Sequence, residues 1–183
     1  MKRLCFILVF CFIATTSIIA QNVTIEEKWS ELAKIANEEA LYYEIDFSNA
    51  IINAQEVEIF IEHESRWEEG VKDINYRFMN AFNKQAFKGN TPHRISSLQK
   101  HQNTLNVKVL QVTTCLFSGN TTSIKAIVSV IDKEGTTLLT QYIEKKNGVI
   151  GTNLRLIGDA LEAVGETVGR AFYRYAVPQK SAY

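Results

Sequence analysis

The sequence predicts an α/β (α+β) fold in which a mixed sheet of about four to five strands packs against long amphipathic helices. Residues 104–143 contain three apolar runs joined by short polar loops, and strands joined so closely must run antiparallel, as a three-strand meander. Residues 56–87 and 152–175 instead place apolar side chains three and four positions apart, which is typical of helices with one buried face.

The N-terminal stretch has the composition of a secretory signal peptide. A basic start precedes an apolar run, and the small residue Ala20 stands before Gln21, where we expect cleavage. The apolar run is shorter than the roughly 20 residues that a membrane-spanning helix needs. The sequence therefore predicts a signal peptide over residues 1–20, a single α/β domain over residues 21–183, no membrane span, and a periplasmic or secreted location.

The charge balance limits the class of partner, and the cysteine content limits the disulfides that the chain can form. The chain carries 20 Lys and Arg against 20 Asp and Glu, and this balance indicates neither a nucleic-acid partner nor an anionic membrane surface. Two of the three cysteines lie in the predicted signal peptide, so no intramolecular disulfide is expected. The remaining one, Cys115, is in an apolar run and is expected to be a buried small hydrophobic residue.

The first elements of the predicted domain are a one-sided helix and a strand. Apolar residues are spaced for a helix over residues 24–40. From Tyr43 to Phe47, apolar and polar residues alternate, which is the period of a strand with one buried face. Asn49 and Asn53 then predict a turn region.

The helical stretch over residues 56–87 has one apolar stripe and a break near Ser65. Gly70 lies within it, and since a helical glycine costs about 1 kcal/mol against alanine, we expect close packing or a kink there. Glycine and proline after residue 87 end the helix. Beyond them, Ile95 and Leu98 predict a short helical turn. The stripe consists of Trp67, Val71, Ile74, Phe78 and Phe82.

The meander and the last helix follow. The buried face switches near Leu110, which predicts a β-bulge, and the loop Asp132–Gly135 predicts a hairpin before a third strand over Thr137–Ile143. In the last helix, Gly158, Gly165 and Gly169 lie along one edge, a spacing that allows close helix approach. We favour interior packing of these glycines over a dimer face. Ion pairs are expected at i,i+4 spacing, between Arg155 and Asp159 and between Glu166 and Arg170.

No catalytic residue, cofactor site or metal site is predicted. His63, His93 and His101 lack the short fixed spacing of zinc ligands. Ser48 lacks the flanking glycines of a nucleophile elbow, and Cys115 has no histidine near it in the sequence. The sequence therefore favours a protein that is not an enzyme.

Five residues are candidates for a binding site, namely Tyr43, Asp46, Trp67, His93 and His101. The aromatic residues Tyr43 and Trp67 can line a pocket together with the carboxylate of Asp46. His93 and His101 lie in the irregular segment 88–103. Asp46 also has a structural interpretation, as an acceptor of hydrogen bonds from turn amides.

Two parts of the chain carry a resemblance to known proteins. The strand YYEIDFSNAII and the following helix, RWEEGVKDINYRFMNAFN, resemble a group of small exported Bacteroidetes proteins without an assigned activity. The hairpin at Asp132–Gly135 and the glycine-dotted helix after it resemble envelope α/β proteins of the TolB amino-terminal, LpoB and CsgG-like fold group. The resemblance implies a protein that acts by contacting other envelope proteins, although the chain lacks the lipid-attachment cysteine of the anchored members.

Two functions of different classes remain open from the sequence. The first is an exported non-enzymatic envelope module that binds a protein partner. The alternative is a small-molecule or glycan-binding secreted protein, with hydrolysis left open, in which Trp29, Tyr42, Tyr43 and Trp67 join Glu44 and Asp46 around a pocket. Self-association as a homodimer, through the final strand or the glycine-edged helix, is a third hypothesis.

Overall fold

The computed structural model describes residues 29–35, 40–86, 94–97, 103–115, 121–148 and 151–176. A 3₁₀ helix spans Ser30–Ile35. The strands are β1 (Ala40–Asp46), β2 (Ile51–Ile52), β3 (Gln55–Glu56), β4 (Arg94–Ser96), β5 (Thr104–Cys115), β6 (Thr121–Ile131) and β7 (Thr137–Gly148). The helices are α1 (Val57–His63), α2 (Trp67–Ala86) and α3 (Asn153–Tyr175). The predicted signal peptide, His93, His101 and Leu98 lie outside these ranges.

One mixed sheet contains all seven described strands. β5, β6 and β7 form the antiparallel meander that the sequence predicts. β5 pairs in parallel with β1 along its first half and with β2 along its second half, and β1 pairs in parallel with β4. The α+β class is therefore confirmed, but the sheet is larger than the four to five strands expected. The additional strands β2, β3 and β4 have only two or three residues each, which is too short for a period of two to show.

The details of the meander follow the sequence closely. The register of β5 shifts between Val109 and Gln111, so the predicted bulge at Leu110 is confirmed. Gly135 has a φ of +87° in the hairpin loop, and the Asp132 carboxylate accepts hydrogen bonds from the amides of Glu134 and Thr136. β7 ends at Gly148 and is thus longer than the predicted strand.

Two of the predicted elements are corrected. Ala40 already belongs to β1, and the described turn before it is the 3₁₀ helix Ser30–Ile35, so the predicted α-helix does not continue to residue 40. Ile95 lies on β4 and not on a helical turn. Its amide donates to the Oδ1 of Asn83 at 3.0 Å, which ties the short strand to α2. Three residues offer too little pattern to distinguish a strand from a turn.

The helices α2 and α3 pack closely along the glycine edge. A Cβ atom added to Gly165 would lie 2.7 Å from the carbonyl oxygen of Phe78, and one added to Gly169 would lie 2.5 Å from that of Phe82. Both distances are shorter than a non-bonded contact allows, so the two backbones approach each other only because these residues are glycines. Interior packing of the glycine edge is therefore confirmed.

The core lies between the sheet and the helices. Ile74, Phe78 and Phe82 of the predicted stripe are fully buried, while Trp67 and Val71 are partly exposed. On β5 and β6, alternate residues such as Val107 and Val128 are fully buried. Their neighbours in sequence are not buried, so the sheet has one face toward the helices and one face away from them. Within the described ranges, no helix has both the length and the apolar character that crossing a membrane requires.

Candidate partner-binding surface

The face of the sheet that points away from the helices is a distinctive surface of the described chain. We call it the open face. It comprises the outward residues of β1, β5, β6 and β7, and each is partly or fully exposed. No described helix packs on it, since the buried residues of these strands lie on the other face, with the alternation of β5 shifting by one residue at the bulge. The central residues of the open face are Tyr42, Glu44, Asp46, Asn106, Lys108, Lys125, Ile127, Ser129, Thr140, Tyr142 and Glu144.

Strand pairing places these side chains in rows across the sheet. One row contains Asp46, Lys108, Ile127 and Tyr142 on successive strands. Directly opposite residues on neighbouring strands have Cβ atoms about 4.5–5.5 Å apart, so each side chain of the row can contact the next. The row therefore joins a carboxylate, an ammonium group, an aliphatic side chain and a phenol.

A second, polar row lies beside the first. It contains Glu44, Asn106, Ser129 and Thr140. The hydroxyl oxygens of Ser129 and Thr140 are 3.3 Å apart and share a hydrogen bond. The apolar part of the open face is thus bordered by groups that can donate or accept hydrogen bonds.

The pKa values of the two residues at the ends of the first row, Asp46 and Tyr142, are shifted by their surroundings. Hydrogen bonds from the backbone and side chain of Ser48 hold the pKa of Asp46 below its usual value, and the charge of Lys108 lowers it further, against an opposing effect of burial. At the other end, desolvation and then the carboxylate of Glu144 raise the pKa of Tyr142. At neutral pH the row therefore presents a carboxylate acceptor and a phenol that can donate.

Ile127 is the feature that distinguishes this face from an ordinary solvated one. An antiparallel sheet with one face in water normally carries polar residues on that face. Here Ile127 lies in the middle of the row, next to Tyr142, whose side chain is 49% exposed. Contiguous apolar side chains with a polar border, as Ile127 and Tyr142 are here, are more typical of contact surfaces than isolated ones. The charged residues around them, Glu44, Asp46, Lys108, Lys125, Glu144 and Lys146, balance in sign.

The structure separates the binding residues that the sequence suggests. Tyr43 is buried on the helix side, where its hydroxyl donates to the carbonyl of Asn75 at 3.2 Å and its ring stacks on Phe78. Burial raises the pKa of this phenol, and Tyr42 adds to the effect. Asp46 has the opposite parity on β1 and belongs to the open face. Tyr43 and Asp46 therefore do not face one site.

Trp67 is part of an aromatic cluster at the start of α2. Its ring lies edge-on to Phe47, with centroids 5.4 Å apart, and to Phe60, at 5.9 Å. Trp29 is buried in the core. The aromatic residues that were candidates for a pocket thus divide between packing positions and the open face. His93 and His101 lie outside the described ranges.

Asp46 has the structural contact that its position suggested. The amide of Ser48 donates to its Oδ1 at 2.8 Å, which closes the turn after β1. His63 is exposed, and its Nδ1 lies 2.8 Å from the carbonyl oxygen of Ile59 on its own helix. Among the residues that the structure describes, no group of three or more His, Cys, Asp and Glu side chains could hold a metal ion.

A charged cleft between α2 and α3 has mainly a structural role. Arg77 donates to Asp73 at 2.7 Å on its own helix and to Asp159 of α3 at 2.6 Å. The expected pair between Arg155 and Asp159 is therefore wrong, because the cross-helix arginine takes the carboxylate. The expected pair between Glu166 and Arg170 is present, at 3.8 Å.

Sequence reasoning did not select Lys108, Ile127 or Tyr142 as candidates. A signal for Ile127 existed, since it is apolar at a position where the alternation along β6 points away from the other apolar residues. Which side of β6 the helices would cover depends on contacts distant in sequence. Lys108 and Tyr142 join Ile127 only through strand pairing.

Comparison with protein-family models and with curated proteins finds no match. Among solved structures, the chain is similar to the PelC dodecamer from Paraburkholderia phytofirmans, with a TM-score of 0.42 and 8% identity over 70% of this chain and 86% of that one. It is also similar to a Xanthomonas campestris protein of the DUF330 family, with a TM-score of 0.35 and 10% identity over 72% of this chain and 80% of that one. Likeness at these scores supports no inference about function.

Proposed function

We propose that this chain is an exported, non-enzymatic envelope module that binds a protein partner through the open face. The observation that carries the proposal is the apolar centre of that face, where the partly exposed Ile127 lies beside the exposed Tyr142, on a sheet side that no described helix covers. Tyrosine and aliphatic side chains at the centre, with hydrogen-bonding groups around them, are the arrangement of a protein interface.

The proposed location rests on the sequence. The signal-peptide pattern over residues 1–20 supports export, and the resemblance to TolB amino-terminal, LpoB and CsgG-like envelope proteins supports a partner in the cell envelope. The small-molecule or glycan alternative has less in its favour, because its aromatic residues do not converge within the described part of the chain.

The charge pattern defines the kind of partner. Acidic and basic residues on the open face balance, so the face has no net charge to attract a strongly charged surface. We therefore propose a partner with a flat surface that is apolar at its centre and near-neutral overall. Binding of this kind depends little on ionic strength, since screening acts mainly on exposed charge pairs.

The experiment is capture of envelope proteins by the tagged, exported chain and by two variants. Ile127→Lys places a charge at the centre of the open face and is expected to abolish capture of the partner. Ile59→Lys makes the same chemical change at a side chain of α1 that is 44% exposed and lies off the open face, and it is expected to retain capture.

Circular dichroism should give the same spectrum for both variants, because both positions are solvent-accessible. Loss of the captured protein in both variants, or in neither, would contradict the proposal. Capture that survives Ile127→Lys but is lost in high salt would also contradict it, since it would indicate a charged contact elsewhere.

A further inference from the structure

The hydrogen-bonding edge of β7 is a feature that the proposed function does not use. β7 has 12 residues, Thr137–Gly148, and it pairs only with β6 within the described ranges. The strands at the other margins of the sheet, β3 and β4, have two and three residues. A long edge strand presents a row of unpaired amide and carbonyl groups, which is a template for pairing with another strand.

We propose that β7 pairs antiparallel with β7 of a second copy of this chain, about a two-fold axis at Tyr142 or Ile143. The inference goes beyond the proposed function, since it concerns the edge of the sheet and not its open face. The sequence hypothesis offered two routes to a homodimer. The route through the glycine edge of α3 is closed, because α2 occupies that edge, and the route through the final strand remains.

The distribution of charge along β7 favours a second copy as the occupant. Glu144, Lys145 and Lys146 are consecutive near the end of the strand, and residues 137–143 carry no charge. Charged residues on an edge usually oppose pairing. In an antiparallel pair about a central axis, however, each charged end lies opposite the uncharged end of the other copy. The strand can therefore pair with itself without placing like charges opposite each other.

The register follows from the same pattern. Directly opposite residues in an antiparallel pair share a face, so an axis at Tyr142 places Glu144 opposite the second copy's Thr140. An axis at Ile143 places Glu144 opposite the second copy's Tyr142. An axis at Glu144 or Lys145 would set like charges directly opposite each other, which is destabilising. Only the two central axes also use nearly the whole length of the strand.

Such a dimer has a consequence for the open face. Pairing through β7 continues the sheet from one copy into the other, with all outward residues on the same side. The two open faces then form one surface of twice the width, with Tyr142 and Glu144 of both copies at its centre. Neither Ile127 nor Lys108 would contact the second copy.

The first test is the mass of the full exported chain by light scattering. A dimer is expected for the wild type. Tyr142→Lys places two ammonium groups near the axis and is expected to raise the dissociation constant of the dimer about tenfold or more. Tyr76→Lys is the matched control: Tyr76 is 60% exposed on α2, distant from the edge, and its variant should remain dimeric.

The second test identifies the strand. In a Cys115→Ser background, Tyr142→Cys is expected to link two copies with a short thiol-specific cross-linker. Ser129→Cys, on the same face but on β6, should not, because two further strands lie between the two copies of that residue. A monomeric wild type, or linking of Ser129→Cys as fast as Tyr142→Cys, would overturn the inference. Either result leaves the capture experiment on Ile127 unaffected, so the two proposals fail separately.

Discussion

The two faces of the sheet differ in how their side chains are used. On the helix side, Ile124, Ala126 and Val128 of β6 are fully buried. On the open side, Ile127 of the same strand is partly exposed and lies between Lys108 and Tyr142 of the neighbouring strands. The side chains of one face thus stabilise the fold by packing against the helices, and those of the other face are accessible to a binding partner. Adjacent residues of β6 therefore have different consequences when changed.

The largest expected effect compares two isoleucines of β6. Ile124→Ala removes a fully buried side chain and is expected to lower the free energy of unfolding by about 2–5 kcal/mol. Ile127→Ala removes the same atoms from the open face and is expected to cost about 1 kcal/mol or less. Urea unfolding measures both. Equal costs would break the comparison, because Ile127 would then be buried in the folded molecule.

The next effect concerns the glycine edge. Gly169→Ala would force a methyl group against the backbone of Phe82, which cannot move aside, and is expected to cost about 1–3 kcal/mol. Gly158→Ala is the matched control, since its methyl group would lie 3.1 Å from the side chain of Arg77 and not against backbone. Because alanine is also the better helix former, Gly158→Ala should cost clearly less than Gly169→Ala in the same thermal unfolding measurement.

The residues on the helix side of the sheet and on the facing helices were predicted well, because buried apolar residues recur in the sequence at the period of a helix or a strand. Ile74, Phe78 and Phe82 recur at helical spacing and are fully buried. The bulge at Leu110 was visible as a switch of face within one strand. By contrast, β2 and β4 are too short to repeat any pattern, and the partner of Asp159 is Arg77, 82 residues away in sequence. Contacts between residues so far apart in the sequence produce no recognisable local sequence pattern.

The candidate site was harder to predict for a related reason. The alternation that identified β1 already placed Tyr43 and Asp46 on opposite faces, so one site containing both was inconsistent with the predicted strand. The less apolar side of β6 still carries Ile127 and Ile131, and the sequence of β6 does not show that these two residues lie on an uncovered face. The open face could be recognised only after strand register and helix packing were known.

The smallest expected effect is at the edge of the open face. The pKa of Asp46 is lowered in the folded state, so its carboxylate stabilises the fold above the unfolded-state value of about 3.9, and this contribution is lost as the pH falls through the folded-state value. Asp46→Asn should therefore cost less than about 1 kcal/mol at neutral pH. Denaturant unfolding from pH 7 down to pH 2 should show that difference shrink as the pH falls below the unfolded-state value; a constant difference would mean that the charge plays no part.

The bulge in β5 shifts the alternation of buried and outward residues by one position between the two halves of the strand. Before Leu110 the odd-numbered residues are buried, and after it Val112 is buried instead. Removal of Leu110 would join the halves into one continuous alternation that keeps Val112 on the helix side. Regular pairing of Leu110, without the bulge, would instead turn the second half over, so that Val112 would point to the open face and the strand positions opposite β2 would exchange sides. The one unpaired residue therefore lets β5 contain one residue more than the stretch of β6 it pairs with, without inverting half of the strand.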